Sequence, residues 1–187
     1  MNETTLAAAR ATYYEVNGFG ADGGDALDWV PVKLWKLTVK IPNTDGRRKA
    51  VRIHDLHHVL TGYDTTLAGE AEIGAWELAS GCLRWPAATF LNLTILAIGL
   101  VMAPVRLARA WARGRQTRNL YGENGVDHLL PRTVEAMRGT LGLDRPVRVR
   151  VRDVAGMLLV AVPTLALMTA FVLAPLVGIA ALVRALV

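Results

Sequence analysis

One cysteine, Cys82, stands in 187 residues, which excludes an internal disulfide and any cysteine-based zinc knuckle and leaves that thiol to pack as a small apolar side chain. Histidine is scarce as well, with only His54, His57, His58 and His128. The first residues, Met1 to Thr5, lack both a basic stretch and an apolar stretch, and Glu3 with a single early Arg10 argues against an export signal or a transit peptide. The glycines at 18, 20 and 23 spell a phosphate-loop pattern, but a helical stretch precedes them where such a loop needs a strand, so this segment reads as a turn-rich loop. Its aspartates at 22, 25 and 28 miss the calcium-loop spacing. Acidic residues are the minority, 16 against 21 Lys and Arg, and the imbalance is local. Residues 1 to 85 carry nine basic and eleven acidic side chains, whereas residues 106 to 153 carry eleven and five. A basic block between apolar runs reads as a membrane-surface segment, and no nucleic acid is expected as a partner.

What is present is concentrated in His54-Asp55-Leu56-His57-His58, followed eleven residues later by Glu70. On a helix His54 and His58 lie four apart, so both imidazoles leave one face about a turn apart. Gly62 is placed to end that helix, the chain turns through Asp64-Thr65-Thr66, and a second helix over 67 to 80 can return Glu70 to the histidines. Two imidazoles and one carboxylate leave a fourth position open on a divalent ion such as Zn²⁺, as in catalytic zinc sites. A pair of histidines four apart also occurs on ordinary solvated helix faces; Asp55 and Glu70 beside so few histidines favour the metal. Asp55 is the candidate for handling a proton, and can also support the ligands from behind or stand near a bound water. Glu70, Gly74, Glu77 and Gly81 share one stripe of the second helix, so Glu77 is a candidate to support the ligands from behind, and the glycines permit a close neighbouring backbone. Glu72 falls elsewhere on the wheel and is expected to be exposed.

HDLHHVLTGY, Glu70, Glu77, Ala79-Ser80-Gly81, Ala103 to Leu107, Arg113-Gly114-Arg115 and Met137 to Leu143 together resemble the Coq-four family of coenzyme Q biosynthesis, whose signature is HDxxH, eleven residues, Glu. His54, Asp55, His58 and Glu70 fall on that signature one by one. The resemblance covers about residues 50 to 143. It implies a mainly helical fold, a zinc-type metal, a prenyl-lipid pocket beside it and a role in ubiquinone assembly. The activity it implies is removal of a ring carboxylate with hydroxylation of that carbon on a prenylated aromatic precursor. A noncatalytic lipid-binding scaffold that presents quinone intermediates to other biosynthetic enzymes is the alternative. The implied partners are a prenylated quinone precursor or another isoprenoid lipid, the membrane and other quinone-biosynthesis enzymes, with a homo-oligomer left open. HxxHH is also similar to the boxes of membrane desaturases, but those need several boxes and far more histidines. Peptide hydrolysis is a weak fit, because zinc proteases place Glu where Asp55 stands.

The remaining chain sets the architecture expected: a mainly α domain over 1 to 143, then a basic linker and an apolar segment over 144 to 187. Residues 5 to 16 have helical character. From Trp29 to Ile41 the alternation of Leu37, Val39 and Ile41 predicts an extended segment, with Trp29 and Trp35 as core or interfacial aromatics. Lys33, Lys36, Lys40, Arg47, Arg48, Lys49 and Arg52 form either a headgroup-facing or a solvated face. Residues 85 to 105 carry no charge and are long enough to cross a bilayer, yet an embedded or peripheral helix fits better than translocation of the N-terminal domain. Residues 119 to 143 read as a connector and a short helix with Pro131 in its first turn and Gly142 at its end, and His128 reads as an exposed connector residue. Arg145, Arg148, Arg150 and Arg152 precede thirty uncharged residues, Val154 to Val183, the clearest transmembrane segment. Their charge places its start, and the metal motif, on the cytoplasmic side of a bacterial-type membrane.

Overall fold

A computed structural model describes residues 4–34, 37–123 and 125–186; Trp35, Lys36 and the Met1 to Glu3 start lie outside the described residues. The protein is mainly helical. Seven α-helices are found among the described residues, α1 Leu6–Asn17, α2 Asp45–Thr61, α3 Leu67–Ser80, α4 Pro86–Met102, α5 Pro104–Gly114, α6 Val134–Leu141 and α7 Val151–Leu186. Two strands, β1 Trp29–Leu34 and β2 Leu37–Pro42, separate α1 from α2 and pair antiparallel with Val32 opposite Val39. The single extended segment expected from the alternation is therefore two strands, and Pro31 is tolerated because each strand of a two-stranded ribbon is an edge. Trp29 is 58% exposed and is not a core residue.

Helix boundaries follow local chemistry. Thr5, Thr44, Thr66 and Thr133 each cap a helix N-terminus with the hydroxyl accepting a backbone N–H, and Gly62 ends α2 in the left-handed conformation at φ 76°. Pro131 lies ahead of the Thr133 cap, so it belongs to the approach to α6 rather than its first turn. The hydrogen bonds from Leu6 N–H to Arg132 C=O and from Val134 N–H to Thr4 C=O tie the start of α1 to that same approach.

α3 is the central helix. Gly69, Ala71 and every residue from Ile73 to Glu77 are buried, and α4 and α5 both press against it. Small residues make the approach possible: a Cβ on Gly99 of α4 would stand 2.5 Å from Ala71 Cβ, one on Gly74 would stand 2.6 Å from Ile95 Cγ2, and one on Gly114 would strike the Trp76 carbonyl. Gly81, by contrast, meets nothing; its φ of 107° marks it as a cap, not a packing glycine.

α4 uses one face, including Ala88, Asn92, Leu96 and Gly99, to cover the core, and leaves Phe90, Leu91, Val101 and Met102 exposed. Its 17 residues span about 25 Å, and the uncharged run breaks at Ala103 before α5 starts at Pro104. α7 behaves differently. Asp153 and Met157 in its first turns and Ala161 further on are buried, and Gly156 lies against Trp111, whereas Leu159, Leu167 and Phe171 are largely exposed. Val151–Pro175 is long and apolar enough to cross a membrane, with Pro163 and Pro175 inside the helix. The helix begins three residues before the uncharged run because the Asp153 carboxylate accepts the Arg150 N–H at its start.

Much of the basic surface is engaged internally. Arg48 donates to the carbonyls of Asp25 and Leu27 and Arg52 pairs with Asp25, so these two bind the 22–28 loop instead of facing headgroups, while Arg47 donates to Asn43, whose amide holds the same loop. Arg106 pairs with Glu72, whose side chain is only 13% exposed, contrary to the exposed position expected for it. Arg113 donates to the Thr61 and Leu143 carbonyls.

Candidate metal centre

α2 presents His54, His57 and His58 toward α3 and α1, and α3 supplies Glu70 from its first turn and Glu77 two turns later. His54 Nε2 and His58 Nε2 are 3.1 Å apart, and the two oxygens of Glu70 each lie 3.4 Å from one of them. His54, His58 and Glu70 form a group that can hold a metal ion. For a tetrahedral ion with bonds of about 2.0 to 2.1 Å, ligand atoms should be separated by about 3.4 Å, which these spacings approach.

The other ring nitrogens explain why the donors converge. His54 Nδ1–H donates to Glu77 Oε1 at 2.9 Å and His58 Nδ1–H to the Tyr63 carbonyl at 2.9 Å, assignments that follow from acceptor-only partners. Each ring then turns an Nε2 toward the other and toward Glu70. Two lone pairs facing each other at 3.1 Å repel, so the arrangement calls for a proton or a cation between them. Glu77 and Glu70 together outweigh burial and hold the His54 imidazole well above its ordinary pKa. Burial resists the Glu70 anion, but its hydrogen bonds to His54 and His58 draw its carboxyl down to about 2.

Glu77 is the floor of the site. It is fully buried, and Oε1 accepts from His54 and from His57 Nδ1 at 2.7 Å while Oε2 accepts from Asn92 Nδ2 at 2.6 Å and the Tyr121 hydroxyl at 2.9 Å. Four donors occupy the acceptor capacity of one carboxylate, which makes a buried anion tolerable. Burial disfavours that charge, and the neighbouring His54 and His57 more than compensate, so its carboxyl lies far below the usual range. His57 is not a ligand: its Nε2 accepts the Leu120 N–H at 2.9 Å, and burial lowers its pKa, which keeps the ring neutral.

Asp55 stands outside the trio. It is buried, its Oδ2 accepts from the Tyr14 hydroxyl at 3.0 Å, and burial raises its carboxyl above the usual range against the pull of His54. Tyr13 stacks on His58 with ring centres 5.5 Å apart, and burial followed by the charge of Asp55 holds its phenol protonated. His128 is exposed and near Glu123, far from any ligand role in sequence and not in the trio.

Tyr13, Tyr14, His57, Tyr63, Asn92 and Tyr121 are therefore contributors that spacing alone does not single out. Asn92 had one sequence signal, an amide within a charge-free run. Tyr121 had none, because it arrives by tertiary contact, whereas Tyr63 lies five residues after His58, just past the Gly62 stop, and offers its carbonyl to that ring locally. Comparison of the chain with models of known families, with curated proteins and with solved structures finds no match.

Proposed function

We propose that the protein holds a divalent metal, zinc in preference to others, between His54, His58 and Glu70, and uses it on a prenylated aromatic precursor in ubiquinone or related prenyl-quinone biosynthesis, assisting decarboxylation or hydroxylation of the ring. The observation that carries the reading is the convergence of two Nε2 atoms and one carboxylate within 3.4 Å of one another. Two imidazoles and a carboxylate suit zinc, and the likeness of HDxxH, eleven residues, Glu to the Coq-four signature supplies the substrate class. When bound, such an ion supplies Lewis acidity toward a carboxylate or phenolate oxygen.

The chain's own groups divide the remaining work. Glu77 fixes the tautomer and angle of His54, and the Tyr63 carbonyl does the same for His58. Asp55, raised by burial and held by Tyr14, is the group that carries a proton. Phe90 and Leu91 on the open face of α4 offer apolar surface to an isoprenoid tail. In this reading α7 tethers the arrangement to a bacterial-type cytoplasmic membrane, and Arg145, Arg148, Arg150 and Arg152 before it support a cytoplasmic metal side.

A noncatalytic scaffold that presents quinone intermediates to partner enzymes is the second reading. It is favoured by two broad recesses among the described residues, about 410 and 460 Å³, whose walls contain none of the three ligands. Glu70→Ala separates the readings. Loss of turnover with fold, lipid binding and partner assembly intact supports catalysis; retained turnover removes it. Mass spectrometry of extracted lipid tests the substrate class, since bulk phospholipid without any polyprenyl species contradicts it.

A further inference from the structure

We propose that the recess between α5 and the segment entering α7 binds the phosphate of an acidic phospholipid, so that α7 is anchored by one specific lipid contact as well as by its apolar length. The proposal rests on the reading of α7 as a membrane span. The recess, about 410 Å³, is walled by Arg109, Arg113, Arg145, Tyr63, Val147 and Val149, with Glu72 also on its rim. Arg106 already pairs with the Glu72 carboxylate, so the acid does not cancel the arginines. Arg113 is committed to the Thr61 and Leu143 carbonyls and lies 5.4 Å over the Tyr63 ring, which makes it a fixed positive floor. Arg109 and Arg145 are exposed, and among the described residues their side chains make no hydrogen bond or ion pair. Two unengaged guanidiniums over a fixed third are suited to a phosphodiester, which guanidinium grips through paired N–H donors.

Position argues for a lipid. Val149 stands two residues before Val151, the first residue of the candidate span, and two residues reach no more than about 7 Å. The headgroup layer of each leaflet is roughly 5 to 8 Å deep, so a recess at that distance opens within it. Apolar and basic groups also alternate in the right sense. Val147 and Val149 are exposed walls of the recess, and Val105, 64% exposed, lies one turn before Arg109 on the same face of α5. The segment is held rather than loose, since Gln116 donates to the Arg148 carbonyl at 2.8 Å and accepts the Arg148 N–H at 3.3 Å.

The test uses the full chain in nanodiscs of phosphatidylcholine, alone or with added phosphatidylglycerol, with native mass spectrometry of the lipid retained after detergent release. Preferential retention of phosphatidylglycerol is expected. Arg109→Gln with Arg145→Gln should weaken that preference roughly 30-fold, about fivefold for each charge, while Lys49→Gln with Arg84→Gln, an exposed pair outside the recess, should change it less than about twofold. Thermal melts by circular dichroism check that both double variants remain folded. Equal losses from the two pairs would overturn the recess as the site, and so would displacement of the lipid by millimolar inorganic phosphate, which would assign it to a soluble anion. A chain that integrates into both bilayers without preference defeats this proposal alone; a chain that integrates into neither defeats the membrane reading along with it.

Discussion

Glu70 and Glu77 are the same residue type seven positions apart on α3, yet one sits at the mouth of the site and the other at its floor. Glu70 is partly open to solvent, with its two oxygens 3.4 Å from two imidazoles and capacity to spare. Glu77 is sealed, and four donors from α2, α4 and the 119–121 segment use up its oxygens. The difference teaches how a helix pair can build a group able to hold a metal ion: one carboxylate uses its hydrogen-bonding capacity on geometry and leaves the other open to ligate. α4 has a similar dual use, since Asn92 reaches the floor while Phe90 and Leu91 face outward.

Breaking the floor should cost most. Glu77→Ala leaves His54, His57, Asn92 and Tyr121 without their common acceptor in a buried space, and chemical denaturation should show a loss of about 3 to 5 kcal/mol. Glu77→Gln keeps the shape but cannot accept from all four donors, so a smaller stability loss should accompany a drop in metal affinity of about 10- to 100-fold. Gly74 sits between the two carboxylates, where α4 brings Asn92 in; Gly74→Ala should cost about 1 to 3 kcal/mol by driving Ile95 outward, unless α4 shifts freely, which an unchanged melting curve would reveal. At the mouth the pattern reverses. Glu70→Ala should cost the metal-free protein less than Glu77→Ala does, about 1 to 2 kcal/mol after solvent screening, while abolishing tight metal uptake, read by elemental analysis against about one ion per chain in the parent. Equal effects from Glu70 and Glu77 would erase the distinction.

Acidity sharpens the same contrast. The raised His54 pKa means that its proton persists to higher pH than for a free imidazole, so an ion must displace that proton even near neutrality. Metal affinity should therefore rise with pH through and beyond about 6.5 and fall on acidification. Glu70, depressed to about 2, stays ionised through that window and does not set the dependence; its own contribution is fully present above the ordinary carboxylate range and is lost as pH falls through about 2. An affinity flat from about pH 6 to about pH 8 would remove the competing proton from the account.

The ligand stripe was legible because it depends on local rules. Spacing of four on a helix, a glycine stop at 62 and a threonine cap at 66 fix α2 and α3 and bring His54, His58 and Glu70 within reach with little help from elsewhere. The apolar run that becomes α7 is equally a property of composition. Other features were not local. Whether Glu72 is solvated depends on Arg106 arriving from α5, and whether Arg48 and Arg52 face lipid depends on the 22–28 loop folding back over them. The break at Ala103, by contrast, is local: Pro104 opens α5 and disfavours helix in the residue before it, and the uncharged run ends at Val105, ahead of Arg106.

By itself, then, the order of residues determined which side chains could ligate and which helix is apolar enough to enter a bilayer, because periodicity and hydropathy are written along the chain. Only the tertiary structure decided that Glu77 would be a saturated floor and Glu70 the open carboxylate of the trio. That choice is made by Asn92, Tyr121 and His57, donors distant in sequence that saturate one buried carboxylate and leave the other to the two imidazoles alone.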